Sequence, residues 1–234
     1  MRLNILSGGA AQSVVTAVAG DFRAATGYEL VCTFSAVGAM KAKLLGGAPA
    51  DLVILTQAQI AELAAAGLLL PESCADLGRV RTGIAVRAGG PVPDVSSADA
   101  LRSTLRAAEG IFIPDPHKAT AGIHFARVLD SLGIRGEVEA RLKAYPNGAT
   151  AMRELAQAEG AHLLGCTQLT EINHTPGVVL AGLLPREFEL ATVYSAGVCA
   201  AGTRLDAARR FIALLSGEAT RALRMKAGFE LGTA

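Results

Sequence analysis

The chain has 234 residues, 51% hydrophobic and 18% charged, with a formal net charge of +1. That is enough to bury one or two sizeable cores, and the charges form no basic stripe and have few aromatics among them (4%, no tryptophan), which argues against nucleic acid as a partner. No apolar run reaches the roughly 18 to 20 residues of a membrane span, so direct membrane insertion is not predicted.

Strand-like and helix-like segments alternate from the start, which predicts an α/β fold with largely parallel sheets. "LNIL" (3–6) reads as a strand, followed by a helix from about Ala11 to Thr26 with Val14, Val15, Val18 and Phe22 on one face and Gly27 as its stop. "YELVCTF" (28–34) is the second strand, "SAVGAMKAKLL" gives a short helix closed by Gly46 and Gly47, and "ADLVIL" (50–55) is the third strand. A helix then runs through Ala66 to Gly67. A second series begins with a strand at 83–87, a helix capped by Ser97, the strand "IFI" (111–113), the loop "PDPHKAT" and the helix "AGIHFARVLDSLGI", with Ile123, Phe125, Ala126 and Leu129 available to pack. "ARLKAY" and "PNG" lead to a helix at about 149–159, then the strand "HLLGC" (162–166) and "TQLTEIN", read as a turn. "GVVLAGLL" and "ELATVYSAGVCA" are further strands, and two amphipathic helices (205–215 and 218–227) end the chain.

The glycine turn in "ILSGGAAQSVV" fits neither a P-loop, since no lysine follows before Lys41, nor a dinucleotide fingerprint, since the third glycine and the acidic partner are missing. It suits a small anion held by backbone amides at a helix start. Cys32, Cys74, Cys166 and Cys199 show no metal or redox spacing, and His117, His124, His162 and His174 form no i, i+4 pair, so no metal and no cofactor are predicted. Three of the cysteines fall in apolar runs and read as buried free thiols. "MRLNIL" leads straight into the first strand without a signal sequence, which reads as cytoplasmic, or as periplasmic if a leader has been removed.

The segments "GGAAQSVVTAVAGDFRAATG", "TFSAVGAMKAKLLGGAPADLVIL" and "DPHKATAGIHFARVLDSLG" resemble the molybdate-binding proteins of bacterial ABC importers, within the type 2 periplasmic-binding-protein fold. The resemblance implies two Rossmann-like lobes, 1–82 plus 196–234 and 83–195, joined by two hinge crossings with a ligand cleft between them, and an ABC importer membrane component as partner if the protein is exported. It also implies the ligand turns: Gly9, Ala10 and Gln12 after the first strand, and Ser35, Ala36, Val37 and Gly38 after the second. In the second lobe it points to Lys118, Ala119 and Thr120 before the "AGIH" helix, to Asn147, Gly148 and Ala149, and to Thr167 and Gln168, where the family has a tyrosine.

Ala10 stands where the family has a serine, and a tetrahedral oxyanion held by neutral donors loses about 1.5–3 kcal/mol with each charge-assisted bond. The expected small anionic ligand is therefore an organic di- or tricarboxylate rather than molybdate, met by the longer groups Gln12, Lys41, His117, Lys118 and Gln168. Two readings follow. The preferred one is a solute-binding protein that captures the anion by closing two lobes. The other is an isomerase on the same scaffold, since aconitate isomerases are similar to the same group; His117, Lys118 and His124 would then be the candidate bases for a proton shift on a di- or tricarboxylate.

Overall fold

The computed structural model describes residues 1–232. The chain is mixed α/β and falls into two compact units, Met1–Val80 with the segment from Thr192 onward, and Arg81–Ala191. The expected joints at 82/83 and 195/196 lie slightly C-terminal of these, because Thr82 already pairs with Gln168 of the second unit, and Tyr194 and Ser195 with Thr56 and Leu55 of the first.

In chain order the first unit contributes β1 (Arg2–Gly8), a 3-10 turn (Gly9–Ala11), α1 (Gln12–Thr26), β2 (Glu29–Ser35), α2 (Val37–Leu45), β3 (Leu52–Thr56) and α3 (Gln57–Ala65). Strand β4 (Ala75–Arg87) begins in the first unit and ends in the second. The second unit continues with α4 (Ala98–Ala107), β5 (Gly110–Pro114), α5 (Thr120–Ser131), α6 (Arg135–Val138), β6 (Leu142–Tyr145), α7 (Gly148–Gln157), β7 (Leu163–Gln168), α8 (Leu169–His174) and β8 (Val178–Leu183). The chain returns along β9 (Ala191–Val198) and closes the first unit with α9 (Leu205–Ser216) and α10 (Arg221–Ala227).

Three differences from the expected elements have local causes. "TQLTEIN" is not a turn: Thr167 and Gln168 finish β7, and α8 follows, held by tertiary contacts such as Ile172 in the core with Met152 and Leu155 of α7, and Glu171 on the Ala149 N–H. Strand β4 starts at Ala75 rather than 83, its first half including a bridge from Arg79 to Glu230 near the other end of the chain. The last helix is split into a 3-10 turn (Glu218–Thr220) and α10.

Each unit is built on the same plan. In the first, β1, β2 and β3 are parallel in the order β2-β1-β3, with β9 antiparallel on β3. In the second, β5, β6 and β7 are parallel in the order β6-β5-β7, with β4 antiparallel on β7 and β8 antiparallel on β4. The first parallel strand thus lies between the other two, and the strand order reverses across it. The carboxyl end of a parallel sheet at such a reversal is where open α/β folds gather their ligand turns.

Cores follow from the period-2 and period-3.6 patterns. In the first unit the inward residues Leu3, Ile5, Leu52 and Ile54 are fully buried, and Phe22 of α1 meets Phe211 of α9 edge-on at 4.9 Å. The second sheet has two covered faces. Ile84, Ile111, Ile113, Leu164 and Cys166 pack under α5 through Phe125, Val128 and Leu129, while Ala85, Phe112 and Leu163 pack under α7 through Ala151, Met152 and Leu155. Burying each large apolar side chain contributes roughly 1.5–3 kcal/mol.

Candidate functional site

In the first unit, β1 and β2 run in register to Gly8 opposite Ser35, so the turns that follow them lie side by side. A Cβ on Gly8 would stand 2.6 Å from Cγ1 of Val37, so only glycine lets the first turn pack against the start of α2. Neither the 3-10 turn nor α1 nor α2 has a side-chain cap, and none has an acidic residue in its first turn. Their leading amides and the positive end of the helix dipole suit an anion. By contrast, α3 is closed by a capping box between Thr56 and Gln59. Of the residues expected here, Ala10, Ala36 and Val37 are buried, and Gly9, Gln12, Ser35 and Gly38 are half-buried. A hydroxyl that the sequence reading passed over is present after all: Oγ of Ser13, in the first turn of α1, is shielded and has no protein partner.

The corresponding turn in the second unit follows β5. The Asp115 carboxylate accepts the N–H groups of His117 (2.7 Å) and Lys118 (3.1 Å), and the Asp115 carbonyl accepts that of Ala119 (3.0 Å). The loop therefore spends those amides on itself and presents the His117 and Lys118 side chains to solvent. Helix α5 has no side-chain cap. Gly122 in its first turn is fixed by contact, since a Cβ there would be 2.3 Å from the Pro114 carbonyl oxygen. His124 is half-buried with Nε2 2.8 Å from the Phe188 carbonyl, an arrangement that requires the proton on Nε2.

The third expected turn, Asn147–Ala149, is occupied from within. Asn147 caps α7 through the Thr150 N–H (2.8 Å), and the carboxylate of Glu171 sits at the same helix start. It accepts the Thr167 hydroxyl at 2.5 Å and the backbone N–H groups of Ala149 and Gln168. Burial pushes this carboxyl above its ordinary range, and the three donors only partly offset that. Gly148 makes room for it: a Cβ would lie 2.0 Å from both Oε2 of Glu171 and Oγ1 of Thr167. Thr167 and Ala149 thus serve an internal anion. The sequence signal for Glu171 was one acidic letter in the otherwise uncharged run 163–173.

Gln168 differs from its neighbours. It is 2% exposed, and neither atom of its side-chain amide has a hydrogen-bond partner. Thr82, opposite it across the β4–β7 ladder, and Thr170 in α8 also carry buried hydroxyls without partners. Neither threonine was anticipated from sequence.

Lys41 pairs with Glu62 at 2.6 Å, and all four cysteines are free, Cys166 and Cys199 buried as expected but Cys32 only half-buried, because its strand β2 lies at the edge of the sheet. Among the described residues no cluster of ligating side chains forms a metal site, and no helix is long and apolar enough to cross a membrane.

Compared with known proteins, residues 3–230 match the family described as bacterial extracellular solute-binding protein. The chain belongs to that family. Among curated relatives of this solute-binding family member, an aconitate isomerase of a Pseudomonas species is 31% identical over 223 residues, covering 92% of this chain and 82% of the relative. Among solved structures, the periplasmic molybdate-binding protein of Azotobacter vinelandii aligns with a TM-score of 0.83 at 20% identity, covering 99% of this chain and all of the other. The sulfate-binding protein SubI of Mycobacterium tuberculosis H37Rv aligns with a TM-score of 0.74 at 20% identity, covering 98% and 86%. The fold is thus the type 2 periplasmic-binding-protein fold in its molybdate- and sulfate-binding form.

Proposed function

We propose that this chain binds an organic tricarboxylate and shifts a proton along it, as an aconitate isomerase. The observation that carries the reading is the 31% identity to an aconitate isomerase over 92% of the chain. The site chemistry supports it. In the first unit the turns after β1 and β2 offer amides beside the buried alanines Ala10 and Ala36; in the second, taken by itself, His117, Lys118 and Gln168 are longer polar groups. Separate carboxyl groups on a carbon frame call for donors at several distances, which short hydroxyls around one point would not supply.

The reaction needs little machinery. A base takes a proton from the methylene carbon, the electron pair moves through the adjoining double bond, and a proton returns at the former vinylic carbon. One C–H bond breaks and one forms, with no redox change. His117, Lys118 and His124 are the proposed bases, since each lies in or just beyond the loop that leads into the uncapped start of α5. The carboxylates would be held by helix-start amides and the Ser13 hydroxyl.

A second reading, a receptor that delivers a small anion to an ABC importer, is favoured by the fold shared with the molybdate- and sulfate-binding proteins. One experiment separates the two. The purified protein is incubated with trans-aconitate in deuterated water and followed by proton NMR. Appearance of the cis isomer carrying deuterium supports the isomerase. Tricarboxylate binding without isomer change or exchange leaves the receptor. A thermal shift with molybdate or sulfate and none with any carboxylate overturns the carboxylate reading itself.

A further inference from the structure

Gln168 is the last residue of β7, where the alternation of side chains settles which face it occupies. Leu164 and Cys166 belong to the core under α5, and Gln168 follows in the same row; Thr167, on the other face, turns to Glu171 and the start of α7. Across the ladder, Thr82 precedes Ile84 and Val86 in the matching row of β4. Gln168 and Thr82 therefore close the α5-covered face at the carboxyl end of β5 and β7, the end at which the uncapped α5 begins. Both are at most 2% exposed, and the two amide atoms and the threonine hydroxyl have no protein partner.

A primary amide presents one acceptor and one donor side by side. Exchanging its oxygen and nitrogen leaves that pairing unchanged, so the requirement does not depend on which way the amide is drawn. Molybdate, sulfate or an ionised carboxylate satisfies the NH2 group and sets a second acceptor against the amide oxygen. A protonated carboxyl group satisfies both, its carbonyl accepting from NH2 and its O–H donating to the amide oxygen. We propose that Gln168 receives one carboxyl group of the ligand in its protonated form, so that binding takes up a proton. This rests on the carboxylate reading above and adds the protonation state. It also bears on the chemistry, because removing a proton beside a neutral carboxyl group avoids building a second negative charge next to an existing one.

Other ionisable groups lie on the elements around Gln168. They are Arg81 beside Thr82, paired with Glu189 at 3.8 Å, Asp115, His117 and Lys118 in the loop before α5, His124 on α5, and Glu171 on α8. A variant at Gln168 leaves all of them in place. The test is calorimetric titration of the full chain with tricarballylate, a saturated tricarboxylate that cannot isomerise, from pH 7 to 8.5 in two buffers of different ionisation enthalpy. Expected are uptake of about one proton per ligand and about a tenfold loss of affinity per pH unit. In Gln168→Met the proton uptake and the pH slope should vanish with much of the affinity, while the melting temperature without ligand stays level or rises, since an unpartnered buried amide has been replaced by an apolar chain. Wild-type binding without proton uptake, or a Gln168→Met protein that keeps the slope, overturns the assignment to Gln168 and leaves the carboxylate reading standing. A failure of tricarballylate and both aconitates to bind at any pH overturns both.

Discussion

Gly148→Ala tests whether the internal carboxylate at the start of α7 is as tightly held as its geometry implies. The backbone at Gly148 is not in the left-handed region, and alanine is the better helix former by up to about 1 kcal/mol, so local propensity favours the substitution. Sterics oppose it. The new methyl would lie 2.0 Å from Oε2 of Glu171 and 2.0 Å from Oγ1 of Thr167, well inside ordinary contact. Relief requires the carboxylate to leave the Thr167 hydroxyl and the amides of Ala149 and Gln168 while it remains buried. Overpacking costs about 1–3 kcal/mol and leaving a buried polar group without its partners about 1–3 kcal/mol. Partial relaxation and the helix term bring the expected net loss to about 3 kcal/mol, or roughly 6–12 °C in melting temperature for a chain of this size. Urea unfolding followed by circular dichroism measures it. In a Thr167→Ala, Glu171→Ala background the same alanine should cost less than about 0.5 kcal/mol, the difference being the coupling between the sites. A loss below about 0.5 kcal/mol in the wild-type background would refute the reasoning.

Three further outcomes are expected. Because the Glu171 carboxyl is raised above its ordinary 4.5, the stability tied to its neutral form is complete below pH 4.5 and lost as the pH rises through the folded-state value; relative to Glu171→Gln, the wild type should lose stability between pH 4.5 and 7, and a flat difference in urea midpoints would contradict this. Asn147→Ala removes the acceptor of the Thr150 N–H and should cost about 1 kcal/mol, with Asn147→Asp retaining most of the cap; equal stability of all three proteins in urea would deny the cap a role. Burial raises Cys32 to about 11 and Cys199 to about 12 and pushes Cys166 further still, so in native protein at pH 8 a thiol reagent should modify Cys74 first and the others only on unfolding; rapid modification of Cys166 would count against the packing described.

What the sequence made legible was local. Helix stops at Gly27 and Gly67 read correctly because both adopt the left-handed conformation that glycine alone takes at little cost, and Ser97 does accept the Ala100 N–H. What it hid was non-local. Helix α8 has no apolar period in "LTEINH", and the packing of Ile172 against α7 and the bond from the Ala149 N–H to Glu171 hold it in shape. The first half of β4 contains Asp76, Gly78 and Arg79, a poor strand by propensity, yet Arg79 exchanges backbone bonds with Glu230, about 150 positions away. In the same way Asn147, Gly148 and Ala149 looked like an anion turn, and the chemistry was right in kind. The group at that turn is the chain's own Glu171 carboxyl, which no spacing rule could have matched to a glycine 23 residues earlier.

The shared plan of the two units sharpens where specificity resides. Each has a turn after its central parallel strand, a turn after the strand on one side, and a turn after the strand on the other. In the first unit the third of these is sealed by the Thr56 capping box, and the first two expose helix amides beside buried alanines. In the second unit the turn after β6 is sealed by Asn147 and Glu171, and the turn after β5 has spent three amides on Asp115. What remains there is side-chain chemistry: His117, Lys118, His124 and the unpartnered amide of Gln168. Backbone amides accept any anion of suitable size, whereas an acceptor and donor held together inside a buried row discriminate by protonation state. The amide turns of the first unit therefore suit any small anion, and Gln168 in the second responds to the protonation state of what meets it. Substitutions that alter ligand preference should accordingly fall at Gln168 and Thr82, and also at Ala10, where a restored serine hydroxyl should favour a tetrahedral oxyanion over a carboxylate.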